Sequence, residues 1–84
     1  MPADPPLSEG ETVLLHVLMA PGSRAENCTA DALTDRSKLD RTEVHRVLRS
    51  LERRDPPLVR SEIDARLNER FWMTTYDAAG AIDE

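Results

Sequence analysis

Between residues 40 and 54 the chain reads DRTEVHRVLRSLERR, and its apolar residues keep one spacing. Val44, Val47, Leu48 and Leu51 stand at i, i+3, i+4 and i+7, the single stripe of an amphipathic α-helix. Asp40 followed three residues later by Glu43 predicts a capping box at its start. Asp55-Pro56-Pro57 ends it, because proline lacks an N–H and pushes the preceding residue out of the α region. The opposite face carries Arg41, Thr42, His45, Arg46, Arg49 and Arg53. One face therefore suits a core and the other an anionic partner. For Arg53 and Arg54, at the helix end, compensation of the helix dipole is the better explanation.

The remaining segments arrange themselves around this helix. Ser8 with Glu11 predicts a second capping box, opening a helix through about Met19. Its apolar face is Val13, Leu14, Val17 and Leu18, with Leu15 and His16 off that stripe, and Pro21-Gly22 stops it. Residues 23–28 form a loop in which Cys28 reads as a small, half-buried side chain. Thr29 is a suitable N-cap for a short helix over 30–35. Residues 36–39 are a tight connection with Leu39 as its buried plug. After Pro57 the period changes from 3.6 to 2, predicting strands at 58–63 and 70–75 joined by a polar connection. Residues 1–7 are a proline-rich tail. Residues 76–84 are either a last helical turn or a fraying tail, Gly80 and the acidic end favouring the tail. These boundaries give one domain over 8–76 between an N-terminal tail, 1–7, and a C-terminal tail, 77–84.

Composition narrows the function. Eighty-four residues leave no volume for a buried catalytic chamber. The net charge of −5 argues at first against nucleic acid, but the charge is polarised along the chain. Between Arg36 and Arg60 there are eight basic residues and four acidic ones, a local balance of +4. Ten of the eleven basic residues are arginine, whose forked donors suit phosphate and guanine. There is no nucleophile–His–carboxylate set at workable spacing, no phosphate-cradling glycine loop and no metal-ligand cluster, so an enzyme, a cofactor or a metal is not expected. A single cysteine and the lack of a long apolar run point to a cytoplasmic chain with no membrane partner.

The order helix, short helix, tight turn, basic amphipathic helix, hairpin resembles the winged helix-turn-helix DNA-binding family, in particular MarR-like regulators. The residues that carry the resemblance are 29–33 (TADAL), 37–39 (SKL), 42–52 (TEVHRVLRSLE), 58–60 (LVR) and 70–74 (RFWMT). It implies an α+β fold, a three-helix core followed by a two-stranded β-hairpin wing, in a small transcriptional regulator of double-stranded DNA. The helix over 41–54 would lie in the major groove, with Arg41, Thr42, His45, Arg46 and Arg49 toward bases or phosphates. Ser37 and Lys38 in the turn would touch the backbone, and Arg66, Asn68 and Arg70 of the wing would reach a minor groove or flanking phosphates. Arg60 has a simpler role open to it, pairing with Glu62 or a cross-strand acid.

A second resemblance is to the Z-form nucleic-acid-binding variety of the fold, through residues 43–51 (EVHRVLRSL) and a tryptophan on the wing. That variety has an asparagine and a tyrosine where this chain has His45 and Arg49. Trp72 thus has three readings: packed on the edge of the central helix, facing nucleic acid, or anchoring a protein interface. The alternative function, from a different class, is a winged helix used as a protein-interaction module. A homodimer is possible, with Leu15, off the core stripe of its helix, as a contact candidate.

Overall fold

The computed structural model describes residues 6–82, without the side chains of 79, 81 and 82; the outer parts of both expected tails lie outside the described residues. Four helices and one hairpin follow in the order α1 (Glu9–Met19), α2 (Ala30–Ser37), α3 (Arg41–Glu52), β1 (Val59–Asp64), β2 (Glu69–Thr74) and α4 (Tyr76–Ile82). A short 3₁₀ turn, Ala25–Asn27, precedes α2. The expected α+β architecture, helices followed by an antiparallel hairpin, is what the chain adopts.

Each helix starts where its cap stands. The Ser8 hydroxyl accepts from Glu11 N at 3.2 Å, and Ser8 N donates back to Glu11 Oε1 at 2.9 Å. Thr29 Oγ1 accepts from Ala32 N, and Asp40 Oδ1 accepts from Glu43 N at 2.8 Å. The Asp40 motif is only half a capping box, because the Glu43 side chain turns to Arg46 instead of reaching back. Helix α2 runs two residues further than its sequence suggests, so Ser37 is its last residue. The turn is made by Lys38 alone in the left-handed region (φ 66°), while the Leu39 N–H donates to Ser37 Oγ.

The core is one cluster: Leu14, Leu15, Leu18, Leu33, Val44, Val47, Leu48, Leu51, Leu58, Val59, Trp72, Ala78 and Cys28, the last expected to be half-buried but in fact buried. The stripe on α3 is the one its spacing predicts. On α1 the stripe differs, since Leu15 is fully buried and cannot serve as a dimer contact. The reason is that α1 has neighbours on several sides, α3 on one flank and α2, β2 and α4 on others, so its buried arc is wider than a single stripe. Burial likewise pushes the Cys28 thiol pKa up.

Two arginines from the basic window are structural. Arg54 was expected to compensate the helix dipole, but its guanidinium is 11% exposed and grips Glu11, with Nη2 to Oε1 at 2.8 Å and Nε to Oε2 at 3.0 Å. Ser50 Oγ donates to Glu11 Oε2 at 2.8 Å, so one carboxylate ties the start of α1 to the end of α3. Burial alone would raise the Glu11 pKa, but the hydrogen bonds from Arg54, Ser8 N and Ser50 outweigh it and bring the value down to about 2. Arg36 sits in α2 rather than in a connection. It donates to Val17 O at 3.0 Å, Asn27 O at 2.6 Å and Ser23 Oγ at 3.2 Å, tying the end of α1 to the 3₁₀ turn.

The hairpin pairs Val59 with Thr74 through Asp64 with Glu69, one residue later on β1 and one earlier on β2 than the alternation implies. Its connection, 65–68, is closed by the Asp64 side chain, whose Oδ1 accepts from the N–H groups of Arg66 and Leu67 at 2.8 and 3.1 Å. These bonds, the one from Leu67 foremost, hold the Asp64 carboxyl below its usual pKa. Asn68 completes the turn at φ 54°. On its other edge β2 meets the chain before α2: Trp72 N donates to Cys28 O at 3.1 Å, and Thr29 bridges Phe71.

The segment expected to fray after the hairpin is instead α4. Ala78 is fully buried, α4 rests on α1, and Thr75 anchors the junction through Pro57 O at 2.6 Å. The tail's acidic composition does not disclose this contact. Leu7 also packs against the core, and Pro6 O accepts from Arg54.

Candidate nucleic-acid interface

Helix α3 buries one arc in the cluster and turns the rest outward. Thr42, Arg46, Arg49 and Arg53 follow one another at spacings of four, three and four along the centre of the outward arc, and all are exposed. His45 and Arg41 lie on its wing side. Glu43, Ser50 and Arg54 lie on the side facing α1.

The ten residues expected at the site fall in four places. Thr42, His45, Arg46 and Arg49 share the outward arc of α3. Arg41 and Arg70 line a cleft of about 280 Å³ between the start of α2, α3 and β2, together with Asp31, His45 and Trp72. Ser37 and Lys38 stand at the α2–α3 turn, and Arg66 and Asn68 at the hairpin tip, away from that cleft. Arg53, assigned from sequence to the helix dipole, belongs to the same exposed arc as Arg46 and Arg49.

The positive charge is less bare than the sequence implies. Arg41 Nη1 lies 2.8 Å from Asp31, Arg60 pairs with Glu62 at 3.2 Å, and Arg66 lies 3.7 Å from Asp64. Arg46 donates to Glu43 Oε1, and this hydrogen bond raises its already high pKa further. Arg70 donates to Ser61 Oγ at 2.8 Å. Among the described residues of the window, Arg36, Lys38, Arg49 and Arg53 have no ion-pair partner, and of these Arg36 is spent on backbone carbonyls. Exposed pairs of this kind exchange readily, since each is worth about 1 kcal/mol or less, and phosphates compete with them.

Trp72 takes the first of its three readings. It is 9% exposed, and its ring meets His45 edge to face, with centroids 6.4 Å apart and planes at 81°. Its Nε1–H has no acceptor among the described residues. Trp72 shares its face of the hairpin with Val59 and Thr74, toward the helices, while Phe71 and Met73 are only partly covered. His45 is thereby braced from below.

No family model matches the sequence, and no curated protein does. Solved structures do match the fold. A single-residue variant of S. aureus MepR, a MarR-family winged-helix regulator, superposes with a TM-score of 0.76 at 18% identity, covering 92% of this chain and 54% of that one. A protein from Ralstonia eutropha JMP134, provisionally described as DNA-binding, gives a TM-score of 0.64 at 18% identity, covering 88% of this chain and 90% of that one. The chain spans about half the length of MepR. At this identity the likeness speaks for architecture alone. The chain has the winged helix-turn-helix fold.

Proposed function

We propose that this domain binds duplex DNA as a small, cytoplasmic MarR-like transcriptional regulator without enzymatic activity, laying the N-terminal half of α3 in the major groove. The observation that carries the reading is the exposed stripe Thr42, Arg46, Arg49 and Arg53 on the helix that follows the tight turn. In this placement Arg46 and Arg49 donate to base edges or phosphates, His45 offers a ring nitrogen beside them, and Arg53 meets a phosphate. Ser37 and Lys38 contact the DNA backbone, Arg41 exchanges Asp31 for a phosphate, and the hairpin carries Arg66, Asn68 and Arg70 toward the adjacent groove. Of the two superposing proteins, the one from Ralstonia eutropha supports DNA as the partner through its description.

A second reading has its own support. The net charge of −5 and the acids engaging Arg41, Arg46 and Arg66 suit a winged helix that docks on protein. The two are separated by titrating the isotope-labelled domain with a mixed-sequence duplex at low and then moderate salt. DNA binding gives shifts concentrated at residues 37–53 and 66–70, with affinity falling steeply as salt rises. An unchanged spectrum at low salt refutes it and leaves the protein-docking reading.

A further inference from the structure

Arg46 is not a free cation on the α3 face. Its Nη2 donates to Glu43 Oε1, one helical turn earlier. The Glu43 side chain is 31% exposed and lies against α1 at Gly10. A methyl group on Gly10 would stand 3.2 Å from Glu43 Oε2 and 3.0 Å from Val47 Cγ2. The bare Cα of Gly10 therefore makes the room in which the carboxylate sits. Glycine inside a first helical turn is a weak helix former, and close approach of α3 is the physical reason for it here.

We propose that Glu43 is a positioning residue for Arg46, and that the pair reads a guanine at one fixed place in the bound duplex. The inference rests on the DNA-binding reading given above. A guanidinium has five N–H donors in a rigid fork. With one Nη2 hydrogen spent on Glu43, the second Nη2 hydrogen and the facing Nη1 hydrogen remain for O6 and N7 of guanine. The carboxylate removes rotamers that an unbraced arginine would have to give up on binding, and it disfavours the alternative of a roaming phosphate contact. Arg49 and Arg53 have no such brace among the described residues, so their contacts tolerate sequence change.

The test is base preference measured on a randomised duplex library for the parent, Arg46→Ala, Glu43→Ala, Glu43→Gln and Gly10→Ala, with folding checked by circular dichroism. The parent selects guanine at one position. Arg46→Ala and Glu43→Ala flatten that same position by about fivefold or more and leave the others unchanged. Gly10→Ala, which displaces the carboxylate without altering any charge, flattens it in the same direction. Glu43→Gln keeps an acceptor for Nη2 and retains most of the preference. If Glu43 only repels phosphate, Glu43→Ala and Glu43→Gln instead raise affinity alike for all sequences, and the proposal is overturned. It is also overturned if Arg46→Ala alters no single position. A parent with no DNA affinity at low salt overturns the DNA-binding reading itself, which is a distinguishable failure.

Discussion

Replacing Glu11 with glutamine removes the charge from the most buried ion pair described in the molecule and leaves the shape of the side chain nearly unchanged. Glu11 and Arg54 side chains are 5% and 11% exposed, and the carboxylate also accepts from Ser8 N and Ser50 Oγ. Its pKa falls from an ordinary 4.5 to about 2. By linkage, that difference corresponds to about 3 kcal/mol of stability when the group is ionised. Removing one partner from a buried pair costs about 3–5 kcal/mol by an independent route, so the two magnitudes agree. For a domain of this length total stability is on the order of 4–13 kcal/mol, so the loss is a large fraction of it. Because the folded-state pKa is depressed, the Glu11 contribution is fully present above about 4.5 and disappears as pH falls toward about 2. Urea unfolding followed by the fluorescence of the single Trp72 measures it. At pH 7 the parent should exceed Glu11→Gln by about 3 kcal/mol, and the gap should close on acidification through the range from 4.5 to 2. A gap below about 1 kcal/mol at pH 7, or one that stays constant down to pH 3, would refute the reasoning.

The other predictions separate core from surface. Val47→Ala, at a position 4% exposed between α1 and α3, should cost about 1–3 kcal/mol in the same urea assay. Arg49→Ala, on the outward arc of the same helix, should leave the unfolding midpoint within error and weaken duplex binding roughly tenfold, with a shallower salt dependence. Arg36→Ala removes the guanidinium that links Val17 O and Asn27 O and should cost about 2 kcal/mol, with exchange protection lost first at residues 20–28. An Arg36→Ala variant as stable as the parent would return that residue to the surface charge.

Local chemistry determined much of this protein without help from tertiary structure. The caps Ser8, Thr29 and Asp40, the apolar stripe of α3 and the period-2 runs after Pro57 act over a few residues, so one strand of sequence states them fully. The winged-helix order of elements followed from these signals. Tertiary structure decided the rest, because burial depends on what arrives from elsewhere in the chain. Leu15 is core only because α1 is covered on several sides, and Ala78 orders α4 only because α1 lies beneath it. Arg36 and Arg54 look like part of a basic face in sequence, yet the backbone carbonyls and carboxylate they satisfy lie up to 48 positions away. Trp72 faces inward because of the register set by Val59, and Glu43 is braced because Gly10 of another helix leaves it space. Charge along a chain is legible residue by residue; which charges remain free to meet DNA is fixed by packing.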